Sequence, residues 1–143
     1  MARKSLFTWL EDRELIQERI FDKNIIEDRW SKYSVLAGKV YLSKDNLKWW
    51  LRQHLSDKFF RKATHNTYGY RLYDEDGYII EWSNDDGETW AGKIILDYMQ
   101  RANLVNAVIV VTRYYGGVML HADRFRHVVD ATQYVLDKHT QAL

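Results

Sequence analysis

The sequence predicts a single α+β domain in which a four-stranded sheet packs against helices. Segments that alternate apolar and polar residues, together with one continuous apolar run, are typical of strands. Segments in which apolar residues recur every three and four positions are typical of amphipathic helices. In chain order these patterns predict helix, strand, helix, strand, strand, helix, strand and helix, with no internal repeat or low-complexity linker. With 143 residues, the chain is long enough for one domain with a hydrophobic core and too short for two ordinary domains.

The first predicted element is a helix over residues 9–21. Thr8 is followed three residues later by Glu11, and a hydroxyl and a carboxylate at this spacing form a capping box at a helix start. The pattern changes after this helix. We therefore assign residues 1–24 to an N-terminal helical extension and residues 25–143 to the main domain.

The first predicted strand covers residues 33–42, where alternate residues such as Leu36 and Val40 point to one side. Ser43 then provides a cap for a second helix, and Trp49 is expected to face away from the buried side of that helix. The buried side comprises Leu47, Trp50, Leu51, His54 and Leu55.

The second half of the chain begins with a predicted hairpin. Residues 67–73 and 78–83 are strand-like and are joined by an acidic turn that ends in glycine. A third helix is predicted over residues 88–101. Residues 105–112 form a continuous apolar run, which indicates a central strand buried on both faces. The last helix is predicted over residues 122–139.

Composition excludes several classes of function. The formal net charge is +1, so overall charge does not indicate a nucleic-acid or membrane partner. The absence of cysteine excludes disulfides, thiolate nucleophiles and cysteine zinc sites. The chain contains neither the apolar run of a signal peptide nor a stretch of about 20 apolar residues that could span a membrane. We expect a cytoplasmic protein with no small-molecule cofactor and no membrane partner.

Gly116 and Gly117 lie between the predicted central strand and the last helix, and two interpretations of this pair stay open. Backbone N–H groups at a helix start, next to a flexible turn, suit an anion such as phosphate. The P-loop spacing is absent, however, and so is G-x-G-x-x-G. In the other interpretation, the glycines only supply the positive φ of a tight strand-to-helix turn.

His65, Asp86 and Glu88 are the residues that suggest acid–base chemistry. No nucleophile motif accompanies them, so a hydrogen bond that holds a loop is the more expected role of His65. The spacing of a calcium loop is missing around Asp86. Capping of the third helix by Asp86 or Glu88 is therefore the better account of these carboxylates.

A metal site is not expected. Asp123 and His127 are four residues apart and share a helix face, with His121 nearby. These residues lack a third helical ligand and match no known pattern of ligand spacing.

Basic and aromatic residues gather near the glycine pair. They predict either a patch that binds an RNA backbone with stacking rings or a solvated rim. The candidate RNA- or partner-binding residues are Lys62, His65, Arg113, Tyr114, Tyr115, Gly116, Gly117 and Arg124, and the acidic motif loop is Asp85, Asp86, Gly87 and Glu88. Lys62 is expected to share one loop with Lys58 and Arg61.

Four ordered blocks of the sequence resemble the Impact/YigZ family. They are ATHNTYGYR at residues 63–71, DDGE at residues 85–88 followed by Ala91-Gly92, VVTRYYGG at residues 110–117, and Leu120 with Asp123-Arg124-Phe125. Residues 26–33, IEDRWSKY, are similar to the segment that opens the family's domain. Asp123-Arg124-Phe125 favours the eukaryotic Impact branch.

The resemblance implies an α+β two-layer sandwich like the second domain of ribosomal protein S-five, with a four-stranded sheet and helices on one face. It implies a non-enzymatic translation regulator that contacts the ribosome, its RNA or a ribosome-bound activator of the starvation-responsive initiation-factor kinase. A protein-interaction module that binds actin or the kinase activator without RNA, for instance through Trp49, is one alternative. The other is a small-ligand enzyme that uses His65, Asp86 and Glu88.

Three departures from the family pattern are expected to matter. We expect the chain to lack the RWD domain that precedes the shared domain in eukaryotic members, and also the ferredoxin-like domain that follows it in bacterial members. His121 stands where the family usually has glycine, and Trp90 stands where the family usually has a small residue. Both side chains place bulk near the glycine turn.

Overall fold

In the computed structural model, the described residues (16, 19–41 and 44–141) form five strands and four helices. The strands are β1 (Ile20–Asp28), β2 (Ser31–Lys39), β3 (His65–Tyr73), β4 (Ile79–Asn84) and β5 (Ala107–Tyr114). The helices are α1 (Lys44–Leu55), α2 (Lys58–Arg61), α3 (Ala91–Arg101) and α4 (Asp123–Gln141). Their order along the chain is β1, β2, α1, α2, β3, β4, α3, β5 and α4.

The strands form one sheet in the order β1-β2-β5-β3-β4, and every neighbouring pair is antiparallel. The last strand in sequence, β5, therefore lies at the centre and joins the β1–β2 hairpin to the β3–β4 hairpin. Ile109 and Val111 of β5 belong to the core under α3 and α4, whereas Val108 and Val110 belong to the core under α1 and α2. Burial on both faces explains the continuous apolar run of this strand, and it confirms the prediction of a central strand.

Each face of the sheet has its own hydrophobic core. Under α3 and α4, fully buried residues such as Ile95 and Met99 pack against the sheet. On the opposite face, Leu47 of α1 and Phe60 of α2 pack against the sheet. Gly38 of β2 lets α1 approach closely, because a Cβ at this position would overlap the ring of Trp50.

The predicted fold class is confirmed, but the arrangement differs in two respects. The sheet has five strands rather than four, and its helices cover both faces rather than one. The second difference arises because alternate residues of β2 and β5 are apolar on both sides, so each face needs a cover. No helix among the described residues is both long and apolar enough to cross a membrane.

The additional strand is β1, which occupies residues predicted to be the end of a helix and a loop. A bulge between Asp22 and Ile26 shifts the pairing with β2, and Asn24 within it has a φ of 54°. A bulge breaks the period of two by which a strand is recognised. The predicted division between residues 24 and 25 falls inside β1, and residues 9–15 of the predicted helix lie outside the described residues.

Two smaller differences concern the helices. Residues 58–61 form the short helix α2 where a loop was predicted, and the Asp57 carboxylate caps it by accepting a hydrogen bond of 2.9 Å from the Phe59 N–H. Helix α3 begins at Ala91 rather than at Glu88, because residues 85–90 form turns.

Candidate functional site

The candidate site lies at one end of the sheet, where three strands place polar side chains side by side. Arg113 of β5 pairs with Tyr33 of β2 on one side and with His65 of β3 on the other. Directly paired residues in antiparallel strands share a face. All three side chains therefore point towards the layer that contains α3 and α4.

Glu88, from the acidic motif loop before α3, is the centre of this site. Its Oε1 lies 2.9 Å from Nη1 of Arg113, and its Oε2 lies 3.4 Å from Nε2 of His65 and 3.8 Å from Nη1 of Arg124. The Glu88 side chain is only 5% exposed. We call Glu88, Arg113, His65 and Arg124 the Glu88 cluster. The two guanidinium groups compensate part of the cost of burying this carboxylate.

Arg113 is a buried residue and not the exposed cation that the sequence suggested. Its guanidinium is held by Glu88 and lies 3.4 Å from the hydroxyl of Ser31, and it stacks within 5.7 Å of the ring centres of Tyr33 and Tyr115. Burial raises the pKa of Tyr33 to about 12. Arg113 therefore ties strands and loops together, and its charge is neutralised by Glu88.

His65 has both ring nitrogens directed at protein atoms. Its Nδ1 lies 2.7 Å from the backbone carbonyl oxygen of Asp86, which can only accept, so Nδ1 donates this hydrogen bond. The other ring nitrogen, Nε2, faces Glu88. The hydrogen-bonding role expected for His65 is thus present in the structure.

The motif loop, residues 85–88, uses each of its carboxylates differently. Asp85 accepts hydrogen bonds of 2.8 Å from the Gly92 N–H and 3.1 Å from the Trp90 N–H, so Asp85 caps the start of α3. The predicted cap by Asp86 or Glu88 is wrong. Asp86 instead accepts a hydrogen bond of 2.7 Å from the Asn66 N–H, and Glu88 points inwards.

The two adjacent glycines have different roles. Gly117 has a φ of +92° and open space around it, as expected for a tight turn. Gly116 is not in the positive-φ region, but a Cβ at this position would overlap the backbone of Trp30. Its N–H also donates to the Ser31 hydroxyl at 3.1 Å. The expectation of positive φ holds for Gly117 alone, and Gly116 is required for close approach of two backbone segments.

Other predicted site residues lie away from the Glu88 cluster. Tyr114 points to the opposite face of the sheet, where its ring stacks on Phe59 at 5.2 Å and its hydroxyl donates to the Phe59 carbonyl oxygen. Lys62 is exposed in the turn after α2. Successive residues of a strand face opposite sides, so Arg113 and Tyr114 do not form one patch.

An open groove of about 590 Å³ lies above the Glu88 cluster. We call residues 115–120, which form one side of this groove, the glycine loop. The groove is lined by Thr64, His65, Gly87, Glu88, Arg113, Tyr115, Met119, Leu120, His121, Ala122, Arg124 and Phe125. Two of its apolar lining residues are well exposed, Met119 at 64% and Tyr115 at 48%, and Val118 of the glycine loop is 43% exposed. Trp30, beside the glycine loop, is 72% exposed.

A second charged group was not predicted from the sequence. His127 of α4 is buried, and its Nε2 donates a hydrogen bond of 2.7 Å to Asp28 at the end of β1. Arg29 pairs with both Asp28 and Asp123. Hydrogen bonds from Arg29 and His127 lower the pKa of Asp28 to about 2. Asp28 and His127 are 99 positions apart, and no spacing in the sequence signals this pairing.

The residues considered for a metal site do not converge. Asp123 pairs with Arg29, and His127 pairs with Asp28, whereas His121 lines the groove. Among the residues that the structure describes, no group of three or more His, Asp or Glu side chains is arranged to hold a metal ion.

Comparison with known proteins identifies relatives along most of the chain. Residues 29–136 match the Impact N-terminal domain. The chain is 38% identical over 112 residues to Protein IMPACT of Rattus norvegicus, which covers 78% of this chain and 35% of that protein. It is 34% identical over 140 residues to Protein IMPACT-A of Xenopus tropicalis, covering 96% of this chain and 44% of that protein. The chain thus spans less than half the length of these curated relatives.

Two solved structures have a similar fold. A crystal structure of a hypothetical protein aligns with a TM-score of 0.67 at 18% identity, covering 88% of this chain and 58% of that one. The structure of the two-domain translational regulator Yih1 aligns with a TM-score of 0.57 at 24% identity, covering 97% of this chain and 52% of that one.

Proposed function

Because this chain belongs to the Impact family, we propose that it is a non-enzymatic translation regulator that binds the ribosome through a protein contact. The partner is a ribosomal protein or a ribosome-bound regulator of the starvation-responsive initiation-factor kinase. Family membership supports the regulatory role, and the structural neighbour Yih1 is itself a translational regulator. We expect such a regulator to act in the cytoplasm, where translation takes place.

The proposed contact surface is based on one observation, which is the exposed apolar rim of the glycine loop. Met119, Tyr115 and Val118 are each more than two-fifths exposed and lie in one loop of six residues. Exposed aromatic residues and methionine are enriched at protein interfaces. Trp30 extends this apolar surface on the adjacent turn.

The charges beneath the glycine loop favour a protein partner over an RNA backbone. An RNA-binding patch uses exposed Arg and Lys to contact phosphates. Here Arg113 is only 8% exposed in its side chain and is paired with Glu88. Tyr114, the second aromatic candidate for stacking on a base, is turned to the opposite face.

The orientation of the polar groups also supports a role without catalysis. A general base needs a nitrogen or carboxylate directed at substrate. One ring nitrogen of His65 donates to the Asp86 carbonyl and the other lies 3.4 Å from Glu88 Oε2, so both are directed at protein atoms. The Asp86 carboxylate accepts a hydrogen bond from the Asn66 N–H.

Co-sedimentation with ribosomes across a salt series, beside a titration with a structured RNA, tests this proposal. Met119→Glu places a charge on the apolar rim, and Trp49→Glu is the matched control, since Trp49 is a 62% exposed apolar residue on α1. We expect the wild type and Trp49→Glu to sediment with ribosomes and Met119→Glu to remain in the supernatant. We expect weak RNA binding in all three.

Two results would contradict the proposal. If the wild type failed to sediment at low salt, ribosome contact would be excluded. If all three proteins bound structured RNA as tightly as ribosomes, with a steep salt dependence, a phosphate contact would replace the protein contact.

A further inference from the structure

We propose that the groove beside the glycine loop is a binding site for a singly charged carboxylate attached to an apolar or aromatic group. The residues that line the groove above the Glu88 cluster have three features that suit such a ligand. They are a surplus of positive charge, the free donors of Arg124 and apolar walls.

The charge balance beneath the groove favours one negative charge. Arg113 and Arg124 each carry a positive charge, and Glu88 supplies one carboxylate between them. Counting the two arginines and this carboxylate, the lining has a surplus of one positive charge. Asp123, next to Arg124 in the sequence, does not cancel this surplus, because its carboxylate is paired with Arg29 and lies 3.7 Å from Arg126.

Arg124 is the residue whose N–H donors are available to a ligand. Its Nη1 lies 3.8 Å from Glu88, beyond hydrogen-bonding distance, and its side chain is 28% exposed. It donates no hydrogen bond within the part of the chain that the structure describes, and its guanidinium rests on the ring of Phe125 at 4.6 Å. A guanidinium held on an aromatic face presents two parallel N–H groups that match a carboxylate. Arg124 also lies in the first turn of α4, where the helix dipole favours an anion.

The walls of the groove select the rest of the ligand. Leu120, Phe125 and Met119 supply apolar surface around the charged floor. A volume of about 590 Å³ falls within the roughly 300–1,000 Å³ of typical small-ligand sites. A phosphate monoester carries about −1.5 to −2 charges at neutral pH, and this charge would exceed the surplus and meet the Glu88 carboxylate. A carboxylate on an apolar body fits both the charge and the walls.

Two kinds of ligand could supply a carboxylate on an apolar body. One is a free small carboxylic acid, and this source is independent of the proposed function. The other is the carboxyl end of a partner polypeptide, and this source rests on the proposed function. Binding of small probes to the isolated chain is measured without ribosomes. The result therefore tests the carboxylate site separately from the proposed ribosome contact.

The test is an NMR titration of the ¹⁵N-labelled chain, including the Nε–H signals of arginine. The probes are phenylacetate, N-acetylphenylalanine, N-acetylphenylalaninamide and inorganic phosphate. We expect both carboxylates to shift the signals of Arg124, Tyr115 and His65, and we expect the uncharged amide and phosphate to leave them unchanged. Tighter binding of phenylacetate would identify a free acid, and tighter binding of N-acetylphenylalanine would identify a chain end.

The variant that decides the proposal is Arg124→Gln. A charge-assisted hydrogen bond is worth about 1.5–3 kcal/mol, so we expect carboxylate affinity to fall by at least about tenfold. Arg126→Gln is the matched control, because Arg126 is two positions away, does not line the groove and is 63% exposed in its side chain. If Arg124→Gln loses its native spectrum, Arg124→Lys takes its place and is expected to bind more weakly than the wild type. Unchanged affinity in the position-124 variant, equal shifts with the amide or phosphate, or no shift with either carboxylate would each overturn the proposal.

Discussion

The Oε1 atom of Glu88 lies 2.9 Å from Nη1 of Arg113, and both side chains are less than one-tenth exposed. Removing one partner of a buried ion pair leaves the other charge without compensation, at a cost of several kcal/mol. We expect Glu88→Gln, which keeps the volume and one oxygen acceptor, to lower the free energy of unfolding by about 3 kcal/mol.

Urea denaturation monitored by circular dichroism measures this loss. Asp97→Asn is the control, because Asp97 forms an exposed ion pair with Arg101 at a spacing of four residues. Such pairs contribute about 0.5 kcal/mol or less. Equal losses in the two variants would show that the Glu88–Arg113 pair does not stabilise the fold.

Arg113 and Arg124 both approach Glu88, and we expect their replacement to have unequal effects. Arg113→Gln removes a buried hydrogen-bonded cation, so we expect a loss of about 3 kcal/mol in the free energy of unfolding. Arg124 is 28% exposed and lies 3.8 Å from Glu88, so we expect Arg124→Gln to lose less than about 1 kcal/mol. The same denaturation experiment ranks the two variants, and a larger loss for Arg124→Gln would reverse the roles assigned here. A charge reversal at Arg113 would therefore lower stability and partner binding together, and would not isolate a contribution of Arg113 to binding.

The two adjacent glycines are expected to respond differently to alanine. In Gly116→Ala, the new Cβ meets the backbone of Trp30, which cannot move without shifting the β1–β2 turn. We expect a loss of about 3 kcal/mol, at the upper end of the usual range for overpacking. Gly117→Ala has open space and only the positive φ to accommodate, so we expect a loss of about 1–2 kcal/mol. Melting curves of the two variants compare them directly, and a larger effect at position 117 would contradict the proposed close approach.

The Asp28–His127 contact predicts how stability depends on pH in the acid range. The pKa of Asp28 falls from an ordinary value of 3.8 to about 2 in the folded chain, so folding favours its charged form. The resulting stabilisation is complete above pH 3.8 and is lost as the pH falls towards 2. We expect Asp28→Asn to show a smaller decrease in melting temperature than the wild type between these two values.

Asp22 has a pKa shifted in the same direction, through hydrogen bonds from Lys138 and Tyr134, so part of the acid sensitivity should remain in Asp28→Asn. Asp76→Asn, in the exposed turn between β3 and β4, should follow the wild-type profile. If Asp28→Asn also followed the wild-type profile, Asp28 would not be a source of acid sensitivity.

Local patterns were sufficient to predict most elements of the fold. The apolar run of β5 and the spacing of apolar residues in α1, α3 and α4 each have one dominant structural interpretation, and these elements are present. Strand β1 was missed because its bulge interrupts the alternation of side chains. Helices were predicted on one face of the sheet, whereas they cover both. Burial of both faces becomes evident only when the apolar patterns of β2 and β5 are considered together.

The candidate site was predicted in part. The motif loops gave the right residue types, but the ion pair joins positions 25 residues apart, and only the three-dimensional fold brings them together. The opposite orientation of Arg113 and Tyr114 is accessible from the sequence alone. If the predicted strand is extended by two residues to Tyr114, the alternation of strand side chains separates the two residues.

The central place of β5 bears on how the chain is synthesised. Until residue 107 has been made, the β1–β2 and β3–β4 hairpins have no strand between them, and each has an unpaired inner edge. Isolated hairpins are marginally stable in water, and open strand edges promote aggregation. The described strands that precede β5 therefore form no complete sheet, and the sheet is completed only after synthesis of β5. A product that terminates before β5 should be a substrate for chaperones and proteases, so premature termination removes the domain instead of leaving a folded fragment.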